Sequence, residues 1–279
     1  MRRVLWTILA LFFLGSGFET SQAYAAEKLE IAATIPPLAD VASEITRDRA
    51  NVRTLLAPGA DPHLFELAPR SAQELERVRI VFLIGHGFDD WVKRIAESIP
   101  QVKMFTVDRG VDLIGTEAKD PHYWLSVANA KRVAMNIAGA LSALDPSGKD
   151  EYQRNLDVYL NKLKETDQQI QKMLSEFQGT KMVTFHDGWR YFARDYGLDI
   201  VGTIESSRGG EPSPMGLVRL TKAVSQNRIN VLFSEPAVPK EAARSFAQDL
   251  GLRLYQLDPF GDGKSYLALM LENARVIGE

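Results

Sequence analysis

The 279-residue sequence contains no cysteine. That absence removes disulfide frameworks, thiolate zinc sites, iron–sulfur clusters and cysteine nucleophiles together, so any metal site must use nitrogen and oxygen donors. It does not name a compartment, because a reducing cytosol and an export route without disulfide chemistry both permit it. No basic run is present either: 33 Lys and Arg stand against 36 Asp and Glu, a formal net charge of −3, and nucleic acid is not expected as a partner. The Gly-x-Ser-x-Gly elbow, the Gly-x-x-x-x-Gly-Lys phosphate loop and the His-Glu-x-x-His helix are all missing. Histidine is scarce, with four in the chain.

What is present begins with an address. Met1-Arg2-Arg3 is a cationic start, 4–18 is an apolar run broken by Gly15 and Gly17, and Ala23-Tyr24-Ala25 supplies small residues at cleavage spacing. Residues 1–25 are therefore read as a secretory signal peptide, with a mature start near Ala26 and the periplasm as destination. The run is shorter than the roughly 20 residues a spanning helix needs, and no second long apolar stretch follows it. With no cysteine to carry a lipid, a form without a lipid anchor is expected; an uncleaved membrane anchor is the alternative.

A chain of this length approaches the limit of one core, which favours two lobes. Short β-rich runs alternate with helical patterns, the mark of βα units and parallel sheets. Strands are expected at 29–34, 52–56, 80–84 and 102–107, and helices at 38–47, 71–78, 91–98 and 129–144. From 150 to 177, apolar residues recur every three or four positions without Gly or Pro, which predicts one long helix, packed on its own protein rather than forming a coiled-coil seam. The alternation then restarts, with strands at 182–185, 200–204, 231–233 and 252–257 between helices at 189–196, 215–226, 240–250 and 265–276. The loop 206–214 is the clearest irregular segment, and Ser213-Pro214 suits a helix start. The predicted architecture is α/β: a lobe over 26–145, a long rigid connecting helix over 146–179, and a second lobe over 180–279.

His63 stands just past a strand, His122 opens a helical region in Asp120-Pro121-His122, His186 follows a strand, and Asp258 stands at another strand end. Ligands of parallel α/β sheets bind outside the carboxyl ends of strands. Folding could thus bring three imidazoles and one carboxylate together across a cleft between the lobes, a donor set suited to zinc. Each residue taken singly has a plainer reading: a solvated loop histidine, or for Asp258 a turn residue before proline. His86, in Gly85-His86-Gly87, competes for a ligand place and is ranked lower, at the cleft edge. Glu235 is read either as a spare carboxylate behind the ligands or as a helix cap. Trp124 and Trp189 are read as core residues that exclude water.

At these residues the chain resembles the zinc and manganese solute-binding proteins of bacterial ABC importers, the ZnuA/TroA type. The resemblance runs through Pro58-Gly59-Ala60-Asp61-Pro62-His63, Asp120-Pro121-His122-Tyr123-Trp124-Leu125 with Asn129-Ala130, His186-Asp187 with Tyr191-Phe192-Ala193, Glu211-Pro212-Ser213-Pro214 and Leu257-Asp258-Pro259. It covers nearly the whole mature chain and implies His63, His122, His186 and Asp258 as metal ligands. Many zinc-specific members carry a histidine-rich loop before the second ligand, whereas 110–119 here holds no histidine. Manganese-preferring members tend to have a carboxylate where this chain has His186, and an imidazole there shifts preference toward zinc.

The implied function is capture of Zn²⁺, with Mn²⁺ as the alternative, and delivery to a membrane permease driven by a cytoplasmic ATPase. The protein is expected to be a monomer without enzymatic activity, with a periplasmic metallochaperone as a further partner. Acid should weaken capture as imidazoles protonate around 6.5. The rival reading is a secreted zinc hydrolase with three His ligands and a bound water. Asp258 separates the two: coordination by it closes the shell.

Overall fold

The computed structural model describes residues 28–205, 213–261 and 263–279. The expected signal peptide and residues 206–212 of the irregular loop lie outside them. β1 (Leu29–Ala33), α1 (Pro36–Thr46), β2 (Ala50–Thr54), α2 (Pro69–Glu74), β3 (Ile80–Leu83), α3 (Asp90–Ala96) and β4 (Lys103–Thr106) form the first sheet and its crossovers. α4 (Val127–Leu144) and α5 (Lys149–Met173) follow. β5 (Lys181–His186), α6 (Arg190–Tyr196), β6 (Asp199–Glu205), α7 (Pro214–Asn227), β7 (Val231–Ser234), α8 (Lys240–Leu250), β8 (Arg253–Gln256) and α9 (Tyr266–Ile277) complete the chain.

Every strand pair is parallel, in the orders β2-β1-β3-β4 and β6-β5-β7-β8. The chain direction across each sheet reverses beside the first strand, and such a reversal opens a crevice at the carboxyl ends. β3 is buried at all four positions, as expected for a strand covered on both faces.

Element boundaries moved for identifiable reasons. α1 starts at Pro36, two residues before the expected 38, because Pro36 and Pro37 fill first-turn positions whose N–H groups need no partner. α4 starts at Val127, where the Ser126 hydroxyl accepts the Asn129 N–H. Ser213 caps α7 as expected, its Oγ accepting the Gly216 N–H at 3.0 Å. α5 stops at Met173 rather than 177. Leu174 leaves the helical region (φ −98°, ψ 6°), a 3-10 turn spans Ser175–Phe177, and Gly179 at φ 73° redirects the chain into β5.

At 1.5 Å per residue the 25 residues of α5 cover about 38 Å. Tyr152, Leu156, Tyr159, Leu163 and Ile170 form its buried stripe, covered by α1, α4 and α9. The stripe is satisfied within the chain. One continuous hydrophobic cluster runs from Ile31 and Phe82 of the first sheet, through Leu163 and Ile170, to Phe192, Phe233 and Met270 on the far side. Two smaller clusters, around Val81 and around Leu232, pack the outer faces of the two sheets. The sheets thus share a core below the crevice that separates them.

Candidate metal centre

Each of three histidines is delivered by a different local device. In the loop after β2, Asp61 Oδ1 accepts the His63 main-chain N–H at 2.8 Å, closing a tight turn that half-buries the ring. His122 lies between Asp120-Pro121 and the short turn Tyr123–Leu125 and is 3% exposed. His186 is the last residue of β5 and is buried. Their ring centroids stand 4.9 Å (His122 and His186), 5.2 Å (His63 and His186) and 5.6 Å (His63 and His122) apart. One nitrogen from each ring lies within 4.8 Å of the other two. His122 Nε2 and His186 Nε2 are 3.1 Å apart, close to the edge of about 3.4 Å between two nitrogens bound to one tetrahedral zinc at 2.1 Å.

Asp120 orients the central ring. Its Oδ1 accepts the His122 main-chain N–H at 3.0 Å and faces Nδ1 at 2.8 Å. This partner assigns the proton to Nδ1 and leaves the Nε2 lone pair toward the other imidazoles. Asp120 Oδ2 is buried without a hydrogen bond, its nearest cation being the Arg190 guanidinium at 3.9 Å. Tyr191 Oη donates to the Asp120 carbonyl at 2.7 Å and accepts the Ile114 N–H at 2.9 Å. In the sequence Asp120 stands only as part of the Asp120-Pro121-His122 stretch, and the Asp-x-His spacing is the signal for its role in orienting the ring. Asp120→Asn is expected to weaken zinc affinity about 10- to 100-fold while leaving the fold intact, checked by chelator competition alongside a thermal melt.

The aromatic surround holds the rings and excludes water. Phe88 meets His63 and His122 edge-on, and Trp124 lies 5.1 Å from His122. Trp124 stacks on Phe260 and donates Nε1–H to the Pro259 carbonyl at 2.8 Å, reaching across the crevice. Gly188 is another residue the sequence reading missed. A Cβ there would stand 3.0 Å from His186 Cδ2 and 3.2 Å from His122 Cδ2, so any larger residue would push both rings aside by a few tenths of an ångström. Trp189 is buried, as expected, and its Nε1–H is held by Glu235 Oε1 at 2.7 Å.

Asp258 stands outside the three-imidazole group. Its Oδ1 accepts the N–H groups of Phe260 and Gly261, both at 2.8 Å, and its backbone is clasped by the Asn273 amide. The cavity beside the imidazoles, about 270 Å³, is lined by Asp61, Glu205 and Glu235. Burial pushes the Glu235 carboxyl up to about 8, opposed by the Trp189 hydrogen bond and reinforced by Glu205, Asp61 and Asp258. Glu205, also raised by burial and Asp61, had no sequence signal; the pairing of β6 beside His186 puts it there. His86 is not in the group and pairs instead with Asp108.

Burial, and then the neighbouring His122, lower the His63 pKa from 6.5 to about 4, against a small opposing pull from Asp61. Proton competition at His63 is thus displaced well below the expected 6.5. The sign for the metal-free fold follows from the unfolded chain taking up this proton first. Stability from a neutral His63 is complete above about 6.5 and is lost as pH falls toward 4. The melting temperature of metal-free protein is expected to fall across that window, and His63→Asn to flatten part of the fall; identical profiles for the two proteins would contradict this.

The family model described as zinc-uptake complex component A, periplasmic (ZnuA), matches residues 31–279. The manganese ABC transporter substrate-binding lipoprotein PsaA of Streptococcus anginosus is 27% identical over 295 residues, covering 98% of this chain and 95% of that protein. The zinc-binding lipoprotein AdcA of Streptococcus pneumoniae is 25% identical over 300 residues, covering 98% of this chain and 59% of that protein. A crystal structure of ZnuA superposes with a TM-score of 0.83 at 29% identity, covering 90% of this chain and 98% of the other. The lipoprotein names run against the expectation of a form without a lipid anchor.

Proposed function

The chain belongs to the zinc-uptake complex component A family, whose relatives serve as substrate-binding components of ATP-driven metal importers, and we propose that it captures Zn²⁺ in the periplasm for such an importer. The observation that carries this is the convergence of His63, His122 and His186 nitrogens within 4.8 Å from three separate segments. Three neutral nitrogen donors suit zinc better than manganese, which favours oxygen. Mn²⁺ is the second cargo, as in the name of the streptococcal relative. Asp61 on the cavity wall supplies a carboxylate that draws in a divalent cation, whereas the buried Glu235 carboxyl, pushed up to about 8, is mostly protonated near neutral pH.

The fourth donor in this reading is Asp258, swung from its turn as the ion arrives. Asp258→Asn is then expected to weaken binding of the triad's zinc at least tenfold while leaving one ion bound there, read by native mass spectrometry with competition titration. Unchanged affinity would remove Asp258 from the shell.

The position of Asp258 outside the group also suits a hydrolase with one open place. Family membership favours transport, and the purified zinc-loaded protein should turn over no ester, peptide or phosphoester substrate. The partners in this reading are a permease with its cytoplasmic ATPase, and a periplasmic metallochaperone upstream; the working unit is a monomer, checked by sedimentation. Lobes at 26–145 and 180–279 around a 146–179 connector remain the working division. The form without a lipid anchor rests on the chain having no cysteine to bear a thioether, and the mass of the exported protein tests it.

A further inference from the structure

His86 is the one histidine the triad leaves out, and its setting copies that of a metal ligand. It lies between β3 and α3 in Gly85-His86-Gly87, where φ is 81°, 57° and 83°, three left-handed residues in succession. Glycine adopts this conformation without cost; histidine does so only where its surroundings hold it. The buried Asp89 pins the turn from below by accepting the Ile84 N–H at 2.6 Å, the Gly85 N–H at 3.0 Å and the Thr34 hydroxyl at 2.9 Å. So held, His86 places Nε2 2.9 Å from Asp108 Oδ2. With Nε2–H donating to that carboxylate, Nδ1 keeps its lone pair. A carboxylate behind the non-ligating nitrogen is the usual backing of a metal-bound imidazole, and Asp120 gives His122 the same arrangement with the two nitrogens exchanged.

His86 and His63 line one cavity of about 310 Å³ together with Asp90. His63 also lines the cavity of the triad, so it is the shared wall between the two. We propose that His86, backed by Asp108 and flanked by Asp90, is a second, weaker divalent-cation site from which zinc passes to His63. This rests on the function proposed above. The site is weak because His86 and a carboxylate on the same cavity wall leave most of the coordination to water. Asp90 must also give up part of its ion pair with Lys93, whose Nζ stands 2.6 Å from Oδ1.

The test uses the full mature protein and Zn²⁺ alone. His86→Asn is the variant of choice, since asparagine tolerates a left-handed backbone; Asp108→Asn removes the backing carboxylate without touching the turn. Native mass spectrometry at rising zinc should show a tight ion and then a weak one in the unmodified protein. Both variants should keep the tight ion, lose the weak one and fill the triad about tenfold more slowly in stopped-flow mixing at low zinc. A single ion at millimolar zinc in the unmodified protein, or unchanged second binding and loading rate in both variants, overturns the proposal. His122→Ala separates this site from the main reading: weak binding that persists there supports the outer site, and weak binding lost with the tight ion counts against it. A tight ion unaffected by His122→Ala would instead overturn the main reading.

Discussion

Replacing His122 by alanine is expected to weaken zinc binding roughly a thousandfold or more, about 4 kcal/mol. His122 is the central ring: its Nε2 lies 3.1 Å from that of His186, and the His63 centroid is 5.6 Å away. It is also the most deeply buried of the three, and Asp120 places its Nδ1 proton. Its loss removes a donor that enters the shell with little left to order. His63, half-buried on a loop, has more ordering still to do, so His63→Ala should cost less. Chelator competition on both variants reads the difference. Since Trp124 and Phe88 rest against the deleted ring, a melt of the metal-free variant must accompany the titration. A His122→Ala protein that folds and binds zinc within tenfold of the original would remove the triad from the account.

The second large effect is on stability. Trp124→Ala should destabilise the metal-free protein by about 3–5 kcal/mol, the range for deleting a large buried aromatic, and lower its melting temperature by roughly 10 °C. Trp124 is 2% exposed, packs against Phe88, His122 and Phe260, and spans the crevice through its bond to the Pro259 carbonyl. Its own carbonyl accepts the Tyr266 hydroxyl at 2.7 Å. Trp124→Phe keeps most of the ring and gives up the indole bond, so it should cost about 1 kcal/mol plus a small cavity. Calorimetry in chelator distinguishes the two, and an alanine variant melting within 3 °C of the original would show that Trp124 does not tie the two sides.

The strand and helix alternation was legible because strands buried in parallel sheets are short unbroken apolar runs, as in Ile80–Leu83, while α5 carries a single stripe over 25 residues. His63 and His186 were legible through their position after strands, and His122 through the Asp120-Pro121-His122 turn that opens a helical region. Strand order was not, since periodicity carries no information about which strands pair. The end of α5 was misplaced because Leu174 and Phe177 continue the apolar spacing after the backbone has left the helix. The site's supporting residues were the least readable. Nothing local marks Gly188 as a point of close approach, and Glu205 reaches the cavity only through the pairing of β6 with β5; Glu235 alone of these was readable, as a carboxylate behind the ligands or a helix cap.

The helix α9 closes the chain by packing back onto α1 and α5, so the two sheets are bound together by a polypeptide that crosses between them more than once, over one unbroken apolar interior. Clamshell swinging would have to tear that interior open, at a cost far above what one ion can supply differentially. A transport partner that must tell a full carrier from an empty one therefore has little change of outline to sense. It would have to read the rim itself: the turn bearing Asp61 and His63 is the part that can shift with least disturbance of what lies beneath.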